Sequence, residues 1–498
     1  MKPSVELFRL IKSLSKSEKR YFKLSSSLQS GEKNYMKLFD AIESQAEYDE
    51  VSLKVKFAKE TFINHLPSEK NHLYSLILKS LRGFYADKSA AAMLQEQLRN
   101  IELLFNKALY KECGKIICKA KKMAYDYEKY YFLLDLIAWE KTLVEEEYSN
   151  GNFDKDLNKL VDEESLSLEK LRNIAEYQIL YSKINYVFRK GGFSRTKQEQ
   201  DLVKEISNLH LIKGEKTALS IKADTACYFI KGLCATTEGD TEGSFTHFSK
   251  VVEIMEKNPL IKQELPKRYV RAINSLLYAY MDRKDWNSCS IMIEKLRGLI
   301  KKRGFESIDI QMKIFTFSNN AELMSCVYRG DFEKASNEVV PSILAGLELY
   351  EGKINNEEEM IFYYNISRVY FGSKDYKRAL KYINLVLNNR ESGLREDIYN
   401  FARLVNLIIH YELGNYDLLD YMIKSTKRSV IKNQRNYKFE EVFLKDFKSL
   451  LKAKNVDNLQ QRFVTSKNDI SEVLEDPYEQ TALKYFGFLS WLDSKIEK

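Results

Sequence analysis

Apolar residues recur at helical spacing through the stretch from Ala226 to Pro259. Phe229, Ile230 and Leu233 are followed by Phe245, Phe248, Val251 and Val252. Gly239-Asp240 between them is a turn dipeptide that ends one helix and starts the next. Small residues at Gly232 and Ser244 predict close approach of the two helices, and Asn258-Pro259 predicts the stop of the second. A pair like this cannot bury its apolar stripe alone and needs neighbours.

The same spacing continues on both sides. Near the N-terminus it predicts helices over Ser4 to Leu14, through Tyr21, Phe22 and Leu24, over Asn34 to Ala46, over Asp49 to Ile63 and over Ser68 to Tyr85. Ser15-Lys16-Ser17-Glu18 has the spacing of a capping box. Residues 1–90 therefore read as a separate helical bundle, a cap over the open end of the array behind it or, as the alternative, a helix-turn-helix-like module. Towards the C-terminus, Phe439 to Leu451 is amphipathic, residues 453–477 are polar with a break at Asp476-Pro477, and EQTALKYFGFLSWLDSKIEK predicts one closing helix. Its simplest role is a cap on the last unit, with docking to a partner or a second copy as the alternative.

Between these ends a turn signature recurs: a small or polar residue, then Asp or Asn, then usually an aromatic. It reads Gly151-Asn152-Phe153, Gly239-Asp240, Lys284-Asp285-Trp286, Gly330-Asp331-Phe332, Lys374-Asp375-Tyr376 and Gly414-Asn415-Tyr416. Gly191-Gly192-Phe193 and Ala108-Leu109-Tyr110 are weaker copies. From Asp240 through Asp285, Asp331 and Asp375 to Asn415 the steps are 45, 46, 44 and 40 residues. Four places after each lies Ser244, Cys289, Ala335, Ala379 or Leu419; four further on lies Phe248, Ile293, Val339, Ile383 or Ile423. The small residue lets paired helices touch and the large one fills the space beside them. A period of this length predicts a helical solenoid.

Gly330-Asp331-Phe332-Glu333-Lys334-Ala335 and Lys374-Asp375-Tyr376-Lys377-Arg378-Ala379 carry a resemblance to the tetratricopeptide repeat (TPR), across about residues 95–430 in about eight units. The steps here are longer than that family's roughly 34 residues. Terminal prolines are mostly missing, and Pro341 falls where it should kink a helix. The resemblance implies an all-α superhelix that binds a protein or peptide on its concave face. Its inward positions fall on Phe229, Leu233, Thr236, Arg271, Asn274, Tyr278, Phe317, Asn320, Met324, Tyr364, Arg368, Leu404, Ile408 and Tyr411. Among these, Arg271, Asn274, Tyr278, Asn320, Met324, Tyr364 and Arg368 are the candidate partner-binding residues. The family's carboxylate clamp is not matched, which argues against a chaperone-tail receptor.

Composition narrows the class. Six prolines and 19 glycines in 498 residues favour long helices, and 44% apolar with 30% charged residues describe an ordered chain. Of the net charge of +8, residues 1–90 hold +5. That basicity permits nucleic-acid contact without demonstrating it. The six cysteines lie in helical patterns without close pairs, as small buried hydrophobes of a reducing compartment do. With neither a secretory signal nor a long apolar run in the sequence, the expected location is cytoplasmic.

The chemistry-bearing patterns are missing. The sequence holds no Gly-rich phosphate loop, HExxH or GxSxG, and its five histidines are scattered. Cys227 and Cys234 share a helix face as core residues, and the runs Glu145–Glu147 and Glu357–Glu359 read as solvated helix starts or faces. No catalytic residue, metal or cofactor is expected.

The expected arrangement is a helical bundle over 1–90, a repeat array over 91–430 and a helical cap over 431–498. The leading expectation is a non-enzymatic scaffold. The rival is a ligand-responsive transcriptional regulator whose N-terminal module reads DNA, which requires Lys70, Lys79 and Arg82 to form one exposed stripe. Self-assembly through the C-terminal helix is a third reading.

Overall fold

The structure, a computed structural model, describes residues 5–27, 34–147, 153–189, 194, 196–389, 395–432, 438–453, 455–476 and 479–497. Gly151-Asn152, Gly191-Gly192-Phe193 and Pro477, all used above, lie outside them, as does Ser4. The described residues are helical and connecting segments, without strands. The chain divides into two compact units, Met1–Ser167 and Leu168–Lys498.

In unit 1, α1 (Glu6–Ser13), α2 (Lys16–Ser27), α3 (Asn34–Ser44), α4 (Glu50–Lys56) and α5 (Leu66–Phe84) enclose a core that includes Ile11, Phe22, Phe39, Leu73 and Ile77. The capping box forms: the Ser15 amide donates to Glu18 Oε2 at 2.6 Å and the Glu18 amide to Ser15 Oγ at 3.3 Å. The helix expected over Asp49 to Ile63 ends early, at Lys56, and a separate 3-10 turn spans Thr61–His65. α6 (Ala90–Phe105), α7 (Tyr110–Asp126) and α8 (Tyr130–Glu147) follow, each packing on the next. The boundary between units falls within α9 (Phe153–Arg189).

Unit 2 opens with α10 (Lys197–Asn208), α11 (His210–Lys213), α12 (Ile221–Glu238) and α13 (Thr241–Lys257). The pair α12–α13 forms as its pattern predicts. A Cβ added at Gly232 would stand 2.8 Å from the Phe248 ring, so only glycine admits that ring, and the hydroxyls of Thr236 and Ser244 meet at 2.8 Å. α14 (Pro259–Glu264) and α15 (Pro266–Asp282) come next, then α16 (Trp286–Gly298), α17 (Ile308–Arg329), α18 (Phe332–Lys334), α19 (Val340–Leu349), α20 (Asn356–Gly372), α21 (Tyr376–Asn388), α22 (Glu396–Glu412) and α23 (Tyr416–Lys432). Helices α24 (Lys438–Leu450), α25 (Val456–Val473), α26 (Ala482–Tyr485) and α27 (Phe488–Ile496) complete the chain.

The recurring turns share one backbone device. The residue before the Asp or Asn is left-handed at Gly239, Lys284, Gly330, Lys374 and Gly414, with φ from 57° to 81°. The amide of the Asp or Asn then donates to the carbonyl five residues earlier, as Asp240 does to Ala235 and Asp375 to Tyr370. This is the helix-ending motif that satisfies orphan carbonyls. The Asp240, Asp285 and Asp375 side chains cap the following helix by accepting from the amides of Gly243, Ser288 and Arg378 at 2.9, 3.1 and 2.9 Å. All ten small and large residues that follow these turns are buried. Successive helices pack pairwise; in addition α15 packs on α17, α17 on α20 and α20 on α22.

Pro341 lies inside the continuous helical run Phe332–Leu349, and a π-helical segment, Ala335–Val339, directly precedes it, where the backbone hydrogen-bond pattern is already altered. The expected single closing helix is instead a 3-10 turn at Glu479–Thr481 followed by α26 and α27, broken at Phe486-Gly487. The polar stretch before it contains α25, whose buried positions Phe463, Ser466, Ile470 and Val473 were too sparse to register as an apolar face. α27 covers the end of α22: Trp491 Nε1 donates to Glu412 Oε1 at 2.7 Å and Lys495 to Glu412 Oε2 at 2.7 Å.

Candidate functional site

The candidate residues Arg271, Asn274 and Tyr278 stand on one face of α15 at helical spacing. Tyr278 leaves 37% of its surface exposed, yet burial of its hydroxyl pushes the pKa up to about 12. That hydroxyl accepts from Asn320 Nδ2 on α17 at 2.7 Å, and Asn320 Oδ1 accepts from Asn365 Nδ2 on α20 at 2.8 Å. Asn365 Oδ1 and Met324 Sδ each accept from Arg368 Nη1 at 3.4 Å, and the Arg368 guanidinium lies 5.8 Å from the centre of the Tyr328 ring. α15, α17 and α20 thus contribute to one continuous polar row.

The seven candidates divide by exposure. Met324 and Arg368 take part in the row but are themselves buried, and Tyr364, which leaves only 2% exposed, sits off it. The Tyr364 hydroxyl donates to the Tyr485 carbonyl at 3.0 Å, so the C-terminal segment already occupies that side. Arg271 belongs to a second group: its Nη1 donates to the Tyr181 hydroxyl at 2.6 Å. Asn274, half-buried, lies between the two groups along α15. Of the other inward positions, Phe229, Leu233, Leu404 and Ile408 are buried core residues.

Several residues of the row were not singled out from the sequence. Asn365 lies 45 residues after Asn320, which is the repeat period, so a polar residue recurring at that interval was the available signal. Tyr328 projects from the last turn of α17 and is 39% exposed. Arg268, one turn before Arg271, donates through Nη1 to the Lys222 carbonyl at 2.8 Å and to Thr225 Oγ1 at 2.9 Å. Farther along, Arg395 grips the fully buried Asp397 with one edge of its guanidinium, Nε to Oδ1 at 3.1 Å and Nη2 to Oδ2 at 2.9 Å.

The acidic run at Glu357–Glu359 starts α20 as expected but is not simply solvated: Glu357 pairs with Arg189 at 2.9 Å and Glu358 with Lys313 at 2.6 Å. In unit 1 the stripe required of a DNA-reading helix is not formed. Lys79 and Arg82 are exposed, but Lys70 is buried and spends its ammonium on Tyr48 and Glu50 at 2.9 and 3.0 Å. Among the described residues no group of three or more His, Cys, Asp or Glu is placed to hold a metal, and no helix is long and apolar enough to cross a membrane. No protein-family model, curated protein or solved structure matches this chain.

Proposed function

We propose that the chain is a non-enzymatic scaffold, a TPR-like superhelix whose concave face binds a protein or peptide partner. The observation that carries this reading is the polar row itself. Tyr278, Asn320 and Asn365 come from α15, α17 and α20, are tied into a line, and place a Tyr278 side chain that is 37% exposed at one end. Residues held by one another lose little freedom on binding, which is how a preorganised surface gains affinity. Tyrosine and arginine supply contact area and directional donors in the proportions that interfaces favour. The repeated left-handed turns support the array geometry, since each sets the same reversal at nearly the same interval. Free cysteines throughout the described chain fit a cytoplasmic setting.

The test is capture by the full-length chain from native lysate, with and without nuclease, beside Tyr278→Ala and Asn274→Ala. The scaffold reading predicts the same proteins in both nuclease arms and their loss from the two variants. Capture of nucleic acid that both variants retain would contradict it and favour the regulator.

A further inference from the structure

We propose that Arg268 and Arg271 form a binding subsite for a phosphate monoester carried by the partner. This rests on the reading of the α15 face as the partner surface and adds the chemistry of one contact. The two arginines are three residues apart on α15, so their Cβ atoms lie about 5–6 Å from each other. Each is fixed through one Nη1: Arg268 on the Lys222 carbonyl and Thr225 hydroxyl, Arg271 on the Tyr181 hydroxyl. Every one of these acceptors is neutral.

Several partly buried cations of unit 2 meet carboxylates: Arg297 meets Glu294 and Glu322, Lys313 meets Glu358, and Arg395 meets Asp397, whereas the isolated Arg368 meets only Asn365, Met324 and the Tyr328 ring. Arg268 and Arg271 make no ion pair among the described residues. Burial lowers the Arg268 pKa to about 10, and the neighbouring Arg271 charge pushes in the same direction. Leaving two adjacent guanidinium groups without counter-charge is costly where water is scarce, and a ligand anion removes that cost.

The charge count selects the anion. A single carboxylate would leave one of the two cations unmatched, whereas a phosphate monoester carries about −1.5 to −2 at neutral pH and three acceptor oxygens. A guanidinium edge matches phosphate oxygens in planar, paired geometry, and the hydrogen bonds to Lys222, Thr225 and Tyr181 use only the Nη1 of each arginine. Such arginine clusters are a general means of recognising phosphorylated peptides.

Calorimetric titration and 31P line broadening with the full-length protein, at fixed ionic strength, test the subsite. The probes are inorganic phosphate, the tripeptide glycyl-phosphoseryl-glycine, and acetate. Phosphate and the phosphopeptide should bind at least about tenfold more tightly than acetate, and Arg271→Gln should weaken both at least about tenfold. Arg303→Gln, at an exposed position, should change nothing. Tighter binding of the phosphopeptide marks a partner-borne group; tighter binding of inorganic phosphate marks the free ion. Equal binding of acetate, or phosphate binding that survives in both Arg268→Gln and Arg271→Gln, overturns the proposal. Should Arg268→Gln lose its helical circular dichroism, Arg271→Gln alone decides. Partner capture that depends on Tyr278 while phosphate fails to bind would remove the subsite and leave the scaffold reading standing.

Discussion

Two partly buried cationic sites, one in each unit, are handled in opposite ways. In unit 1, Lys70 is inserted between α4 and α5 and finds an anion there: Glu50 Oε2 at 3.0 Å, with the Tyr48 hydroxyl beside it. The hydrogen bond from Lys70 is the chief reason that the Glu50 carboxyl is held down at about 2, against the cost of its own desolvation. In unit 2, Arg268 and Arg271 find only a carbonyl and hydroxyls. A closed ion pair spends its charge on the fold. An unclosed one keeps charge available for something that arrives. On the proposed reading, that contrast gives the basic residue of the N-terminal bundle a structural task and Arg268 and Arg271 a recognition task.

The comparison breaks most visibly if Lys70 is replaced. Lys70→Met should cost unit 1 about 2 kcal/mol, because it removes a charge-assisted hydrogen bond to the half-buried Glu50 and leaves that carboxylate with Lys54 as its only cation, and hydrogen exchange of α4 and α5 amides should report it. Arg268→Met should have no comparable cost in unit 2, staying within about 1 kcal/mol of the parent protein, since it removes an unmatched charge. A cost near that of Lys70→Met would make Arg268 a structural residue.

Titration sharpens the contrast. The Glu50 carboxyl is depressed in the folded state, so its stabilisation is complete above pH 4.5 and drains away as the pH falls towards 2. Asp446, on α24, has the opposite sign. Burial raises it to about 6, Asp469 adding to the effect, and its Oδ2 has no hydrogen-bond partner among the described residues. Unit 2 should therefore gain stability as the pH falls from about 6 towards 3.8. Asp446→Asn should stabilise it at pH 7 by about 2 kcal/mol and flatten that dependence in thermal melts. The smallest effect expected is at the turns. Lys284→Gly and Lys374→Gly should each stabilise by about 0.5–1 kcal/mol, relieving a left-handed lysine in positions where three sister turns carry glycine. Melting temperatures unchanged or lowered in both would contradict that account of the turn signature.

Much of this fold is written locally and was legible for that reason. Gly239-Asp240 and its copies encode a helix stop and a helix start in adjacent residues, and Gly232 declares a close approach because nothing larger fits against Phe248. What escaped depends on residues distant in sequence. Asp49 to Ile63 reads as one helix from spacing alone, but Phe57 and Phe62 pack on each other 5.2 Å apart across a break. Lys70 looked like part of a basic stripe because Glu50, its partner, is 20 residues away. Tyr364 looked like groove surface because the segment that covers it lies 121 residues later. Arg271 and Tyr278 were legible as candidates, whereas Arg268 was not: its significance is the absence of a carboxylate, and only three-dimensional neighbours reveal that.

The central claim is that the α15 face receives the partner. The most direct measurement replaces Tyr278 with the photo-crosslinking residue p-benzoylphenylalanine in the full-length chain, and in a second variant replaces Tyr421, which is 70% exposed on α23. After irradiation in native lysate, a discrete protein or peptide adduct should form at position 278 and be absent at 421. Equal labelling at both positions, or adducts at 421 alone, would contradict the account.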